Sequence, residues 1–260
     1  MNENMLNHIS GKYHTAIITS FNFDIAYFDS KILPKLEMND TKNIILFIDQ
    51  KEFEKSIEGI NNSYIGKKYN VVPFKMNSSF HPKLFLMLGD DIAKLIIGSI
   101  NQTHKGYMSN QEIFNVYEYD KNENIKNLSI IQKAVEFVKK LIEKSETKDE
   151  IVYLLNNLYY LDFKSDQEDT YFLDSYDEPI INQVQAIIDE PIKKIDIAVP
   201  FYDDKLLAYK QIEEQLNCSN IKLYVQNEKS TFPVEYNVEN DIAKNIFIFG
   251  KIACNESENF

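Results

Sequence analysis

Two short motifs in the first half of the chain carry the side chains best suited to chemistry. His81 and Lys83 stand two residues apart in "HPK", and Ser99 and Asn101 stand two apart in "GSIN", directly after Gly98. Residues two apart on a strand project from the same face, and a glycine lets a neighbouring backbone approach closely. An imidazole, an ammonium, a hydroxyl and an amide gathered in this way suit a phosphate group.

A third pair of polar residues stands at the entry to another strand. Asn110 and Glu112 are again two apart, in "NQE". A carboxylate that accepts from one ring nitrogen of a histidine fixes the tautomer of the ring. We therefore expect Glu112 to orient the imidazole of His81.

These residues resemble the signature of the phospholipase D superfamily. Its His-x-Lys and Gly-Ser-x-Asn elements stand here as "HPK" and "GSIN", and "NQE" is similar to the Asn-x-Glu element of its nuclease-like branch. The resemblance is specific over residues 80–114 and weaker elsewhere. The aspartate expected after a four-residue spacer is Leu88 in this chain, with Asp90 and Asp91 following later. Branches that resemble metal-independent restriction nucleases often lack this aspartate and use the glutamate, which favours a nuclease.

The resemblance implies transfer through a covalent phosphohistidine, without a metal ion or a cofactor. His81 would attack phosphorus while Glu112 holds its other ring nitrogen. The non-bridging oxygens would be held by Lys83, Ser99 and Asn101. Further contacts to the substrate are expected from Gly98, Gln102, Thr103 and Asn110.

The implied mechanism also needs a second histidine that protonates the leaving oxygen, which is typically worth about 10²- to 10⁴-fold in rate. Members of the superfamily assemble two such motifs from one chain or from a homodimer, and this sequence contains one. We expect the second motif in a segment that follows Phe260. A homodimer is the alternative.

Short apolar runs rich in β-branched residues predict the strands that position these motifs. The predicted strands are 15–21, 43–48, 70–75, 83–88, 93–98 and 112–119. Helical patterns at 26–36 and 51–57 separate the first three strands, and a longer one covers 128–142. Alternation of this kind predicts an α/β fold, a phospholipase D-like α/β/α sandwich with a mixed central sheet.

The chain is also predicted to contain two similar halves. "KIDIAVPF", "NIKLYV" and "NIFIFG" repeat the pattern of the first three strands. We expect a phospholipase D-like domain at 1–145, an acidic helical connector at 146–178 and a second, incomplete repeat at 179–260. The acidic residues of the connector have no metal-ligand spacing and indicate a solvated segment.

Charge and composition limit the partners. The formal net charge of −12 argues against a general basic surface for nucleic acid, although residues 1–120, with 12 lysines and 14 acidic residues, are nearly neutral. The sequence has no arginine, so lysines, polar side chains and backbone amides must hold any phosphate. Without a long apolar run or a signal-peptide pattern, the chain is expected to be a cytoplasmic protein without membrane contact.

The sequence therefore predicts a phosphodiesterase, a metal-independent nuclease of restriction or phage-defence type that acts on DNA. One alternative is a phospholipase or phosphatidyl transferase, which the lack of a basic amphipathic helix disfavours. Another is a catalytically incomplete binding or scaffold module that holds phosphate without cleaving it.

Overall fold

The computed structural model describes residues 4–60, 62–145, 153, 155–163, 170–227, 230–240 and 242–249. It divides into two compact units, unit 1 (Met1–Phe172) and unit 2 (Leu173–Phe260). Much of the predicted connector lies outside the described residues. The domain boundaries expected from the sequence stay predictions.

Unit 1 is built on a mixed sheet of six strands in the order β3-β2-β1-β4-β5-β6. β1, β2 and β3 are parallel, whereas β4, β5 and β6 follow in successive antiparallel pairs. The strands are β1 (Thr15–Ser20), β2 (Asn43–Asp49), β3 (Asn70–Phe74), β4 (Leu84–Leu88), β5 (Ile92–Gly98) and β6 (Phe114–Asp120). This arrangement confirms the predicted α/β class and the mixed sheet.

Both faces of the central strands are buried, which explains the apolar run Ala16–Ile18 in β1 and the wholly apolar sequence of β4. Every residue of β1 and of β4 is buried. On one face, Ile18 and Phe85 pack with Phe28 and Leu36 of a helical run that comprises α1 (Ile25–Tyr27), a π-helical turn (Phe28–Ile32) and α2 (Leu33–Met38).

Three α-helices follow along the described part of unit 1. α3 (Gln50–Ile57) follows β2 directly, α4 (His104–Met108) follows β5, and α5 (Leu128–Lys144) packs against β5 and β6. The predicted helices at 26–36, 51–57 and 128–142 are thereby confirmed. A short 3-10 helix at Tyr159–Asp162 lies in the predicted connector, and Gln132 of α5 donates to the carbonyl oxygen of Leu161 at its end.

Unit 2 contains a smaller sheet with its own core. Its strands are β7 (Ile195–Ala198), β8 (Ile221–Gln226) and β9 (Asn245–Phe249), parallel and in chain order. Its helices are α6 (Ile180–Ile187), α7 (Leu207–Gln215) and α8 (Val234–Asn240). Leu206, Tyr209 and Leu223 are buried together between them. That unit 2 is a duplicate of unit 1 stays a prediction from the sequence.

Within the described ranges, no helix combines the length and the apolar character needed to cross a bilayer.

Candidate active site

The directions of the strands bring the predicted motifs to one edge of the unit 1 sheet. β1, β2 and β5 end at this edge, whereas β4 and β6 start there. The amide of Leu84 donates to the Thr19 hydroxyl oxygen at 2.9 Å, and the amide of Gly98 donates to the Lys83 carbonyl at 3.3 Å. Lys83 therefore lies between the ends of β1 and β5.

His81 and Lys83 lie just before β4, which begins at Leu84. The prediction that a strand carries both residues is therefore wrong. Pro82 between them has no amide hydrogen and cannot donate to a ladder, which favours an irregular approach to the strand. The two side chains nevertheless meet, because the Lys83 ammonium lies 2.8 Å from His81 Nδ1. The same ammonium donates to the His81 carbonyl oxygen at 3.1 Å.

The imidazole of His81 is held in its neutral form. Partial burial lowers the pKa of His81, and the positive charge of Lys83 lowers it further, while the carboxylate of Asp49 opposes both. A cation that donates to Nδ1 requires that nitrogen to be unprotonated. The ring also packs against Phe21, with 4.8 Å between the ring centroids.

Lys83 holds its proton less tightly than an ordinary lysine does. Burial lowers the pKa of Lys83 to about 8, although the charge of Glu112 acts in the opposite direction. The ammonium is thus predominantly charged at pH 7 and becomes neutral at a mildly alkaline pH. It is a partly buried cation, and such a cation attracts a phosphate oxygen more strongly than a fully solvated one does.

Glu112 lies in a second cluster, with Ser99 and Asn110. The Ser99 hydroxyl donates to one carboxylate oxygen of Glu112, and the Asn110 side-chain amide donates to the other at 3.0 Å. Ser99 also accepts from the amide of Ile113 at 3.0 Å. In the described part of the chain no hydrogen bond joins Glu112 to His81, so the structure differs from the expected orienting role.

Two close backbone approaches fix the geometry of this cluster. A Cβ atom on Gly98 would lie 2.2 Å from the carbonyl oxygen of Ile113, and one on Gly106 would lie 2.4 Å from that of Asn101. Both distances are too short for any side chain. The glycine of the "GSIN" motif is therefore required for β6 to approach β5, while Gly106 allows α4 to pack on Asn101.

Asn101 is tied to the end of β1. Its side-chain oxygen accepts from the Ser20 hydroxyl at 3.4 Å and from the amide of Asn22 at 3.3 Å. Its side-chain nitrogen remains the donor that a phosphate oxygen would use.

Gln102 and Thr103 make hydrogen bonds to α4. Gln102 is buried, and its side-chain oxygen accepts from the Tyr107 hydroxyl at 2.8 Å. The Thr103 hydroxyl accepts from the amide of Gly106 at 3.1 Å and caps α4. A direct contact of either residue with substrate stays a prediction.

Asp49 is a residue of this edge that the sequence reasoning missed. It is buried at the end of β2, where one carboxylate oxygen accepts from the amides of Lys51 and Glu52 and caps α3. The other oxygen accepts from the amide of Phe80 at 2.9 Å, directly before His81. An aspartate between a strand and a helix is a recognisable N-cap signal, but its contact with the His81 segment depends on the fold.

The donor set of the edge is suited to an anion and not to a metal ion. The ammonium of Lys83 lies 2.8 Å from Nδ1 and 3.3 Å from Nε2 of His81, and both oxygens of Glu112 accept hydrogen bonds. Among the described residues, no group of three or more His, Cys, Asp or Glu side chains could hold a metal ion. Positive charge, hydroxyl and amide donors beside a neutral imidazole can bind a phosphate and attack it.

Comparison with known proteins gives structural matches alone. No family model and no curated protein matches the sequence. NucT from Helicobacter pylori matches with 17% identity and a TM-score of 0.38, covering 54% of this chain and 86% of that protein. Nuc from Salmonella typhimurium, a phospholipase D family member, matches with 13% identity and a TM-score of 0.39 over the same shares. Over about half of its length, the chain is structurally similar to these two proteins.

Proposed function

We propose that the chain is a phosphodiesterase that cleaves nucleic acid by way of a phosphohistidine, without a metal ion. The observation that supports this most directly is the contact between the neutral imidazole of His81 and the ammonium of Lys83, 2.8 Å apart. A nucleophile needs an unprotonated nitrogen, and the lowered pKa of His81 supplies one at neutral pH.

In the proposed first step, a phosphodiester approaches the edge of the sheet and its non-bridging oxygens accept hydrogen bonds from Lys83, Ser99 and Asn101. The ammonium of Lys83 then turns from the imidazole to the phosphate. An unprotonated nitrogen of His81 forms a bond to phosphorus, and the bond from phosphorus to the leaving oxygen breaks. Water subsequently attacks phosphorus and releases His81 with the second product.

The leaving oxygen needs a proton, and the first unit offers one His-x-Lys motif. We propose that a second histidine comes from a second copy of the chain or from a further segment of the protein that carries a second His-x-Lys motif. Unit 2 supports the second of these, because its parallel strands β7, β8 and β9 follow the same order as β1, β2 and β3. The duplication that this implies belongs to the proposal.

Nucleic acid is the proposed substrate for two reasons. "NQE" resembles the Asn-x-Glu element of the nuclease-like branch, and Leu88 stands where the superfamily signature has an aspartate. A restriction or phage-defence role, a preference for DNA over RNA and a cytoplasmic location stay predictions from the sequence.

The test is cleavage of plasmid DNA and of bis(4-nitrophenyl) phosphate, with and without EDTA. We expect both activities to survive EDTA and to be lost in His81→Ala. His14→Ala is the matched control, because His14 pairs with Asp90 at 3.6 Å and not with the proposed site. Acid-labile phosphate bound to His81 during turnover would identify the intermediate. Loss of activity in EDTA, or full activity of His81→Ala, would contradict the proposal.

A further inference from the structure

A cleft of unit 1 lies beside the cluster of Ser99, Asn110 and Glu112, and no step of the proposed chemistry uses it. Its volume is about 390 Å³, within the range of about 300–1,000 Å³ that is usual for sites of small ligands. Asn110 and Glu112 form the wall that the cleft shares with the cluster. A group bound in the cleft would therefore adjoin a phosphate bound at the edge of the sheet.

α4 connects the cleft to the proposed site. Gly106, Tyr107 and Met108 of this helix line the cleft, and Gly106 packs on the backbone of Asn101. Tyr107 is anchored from inside by its hydrogen bond to Gln102. α4 is thus in contact with both the cleft and the segment that carries Asn101 and Gln102.

The side chains that line the cleft limit what it can bind. Apolar contact comes from Met5, Ile100, Tyr107, Met108 and the ring of Phe114, while amide groups come from Asn4, Asn110 and Gln111. Among the described lining residues Glu112 is the charged one, and no lysine is present. A second phosphate would meet a carboxylate, and an acyl chain would shield the amide and carboxylate groups of the lining from water, which is costly.

We propose that this cleft is the subsite for the nucleobase next to the scissile phosphate, an inference that rests on the proposed function. A nucleobase is a flat, uncharged ring with donors and acceptors at its edge. It stacks on aromatic side chains and pairs with amides, which is how proteins hold unpaired bases. The subsite favours single-stranded or locally opened nucleic acid, because a base inside a duplex cannot enter a cleft of this kind.

Equilibrium binding tests the subsite independently of cleavage. The probes are deoxycytidine 5′-monophosphate, inorganic phosphate and a short-chain phosphatidate, each titrated calorimetrically against the full chain. We expect the nucleotide to bind at least about tenfold more tightly than inorganic phosphate, as base stacking on an aromatic residue would give. The phosphatidate should gain nothing over inorganic phosphate.

Two variants locate the effect in the cleft. Phe114→Leu and Met108→Ala should each reduce the preference for nucleotide over inorganic phosphate several-fold while leaving the affinity for inorganic phosphate unchanged. Met108 is 58% exposed, so its variant should fold even if Phe114→Leu does not, and Met38→Ala, at an 86% exposed methionine, is the control.

Equal affinity for nucleotide and phosphate would overturn the subsite, as would a preference that neither variant changes. A preference for the phosphatidate would replace the nucleobase with a lipid. Cleavage of bis(4-nitrophenyl) phosphate, which carries no nucleobase, separates the two proposals. If this cleavage depends on His81 while the nucleotide shows no preference, the subsite fails and the proposed function stands.

Discussion

The two units use the loops after their parallel strands differently. In unit 1, Ser20 at the end of β1 donates to Asn101, a residue that arrives from the antiparallel half of the sheet. In unit 2, Asp203 follows β7, and its carboxylate accepts from three backbone amides of the same loop and helix, those of Lys205, Leu207 and Ala208. The loop of unit 1 therefore makes hydrogen bonds to another part of the sheet, whereas the loop of unit 2 makes them within itself and the helix that follows.

The difference lies in the strands that return to the edge. In unit 1, the start of β4 and the end of β5 place His81, Lys83 and Ser99 beside the ends of β1 and β2. The described sheet of unit 2 consists of the parallel strands alone. We therefore attribute the proposed chemistry to the antiparallel half of unit 1. The variants below test that attribution.

The largest effect is expected from Lys83→Met. Removing the ammonium removes the charge that holds the phosphate, and the loss of one such donor typically costs about 10²- to 10³-fold in kcat. The measurement is steady-state cleavage of bis(4-nitrophenyl) phosphate at pH 7. Lys75→Met, at an exposed lysine, is the matched control.

The same variant should not be less stable than the wild type at pH 7. The pKa of Lys83 is about 8 in the folded chain, below that of a free lysine, so the unfolded chain holds this proton more tightly. The resulting cost is fully present below pH 8 and is relieved as the pH rises toward the unfolded pKa. A large loss of stability in Lys83→Met at pH 7 would contradict this account.

Much of this edge could be predicted from the sequence, because it depends on local patterns. Short apolar runs predicted β1 and β4, and the spacing of two residues predicted that the side chains of His81 and Lys83 lie together. The contacts of Asp49 and of Glu112 could not be predicted, because they depend on which loops meet after the strands have paired. Gln102 shows the same limit, since the sequence predicted a contact with the substrate and the fold buries the side chain.

Asp49→Asn is expected to have the next largest effect, about tenfold in kcat/KM. An asparagine still caps α3, but it cannot accept at both positions, so the amide of Phe80 loses a partner and the His81 segment shifts. Loss of the negative charge should also lower the pKa of His81 further, which moves the acid limb of the pH profile to lower pH.

Asp24→Asn is the matched control for this variant, because Asp24 caps α1 by accepting from the amide of Tyr27 and is remote in sequence from His81. An acid limb that moves to higher pH in Asp49→Asn, or equal effects of the two variants, would refute the positioning role of Asp49.

Glu112→Gln is expected to reduce activity several-fold at pH 8 and less at pH 6. Glutamine can accept from Ser99, so the cluster persists, but the charge that raises the pKa of Lys83 is lost. The pKa of Lys83 then falls below about 8, and the alkaline limb of kcat/KM moves to lower pH. The exposed Glu123 provides the control, Glu123→Gln, and an unmoved alkaline limb would show that Glu112 does not act on Lys83.

The smallest effect on catalysis, none within error, is expected from Asp203→Ala in unit 2. Its carboxylate is committed to backbone amides at the start of α7, and the loss of such a cap typically costs about 1 kcal/mol of stability. These hydrogen bonds lower the pKa of Asp203, so the contribution is present above the unfolded pKa and is lost as the pH falls through the folded value. Hydrogen exchange of the α7 amides at neutral pH should therefore accelerate in the variant, and the difference should shrink in acid. If cleavage of bis(4-nitrophenyl) phosphate fell as well, the proposed chemistry would depend on this loop of unit 2, and the attribution to the antiparallel half of unit 1 would be wrong.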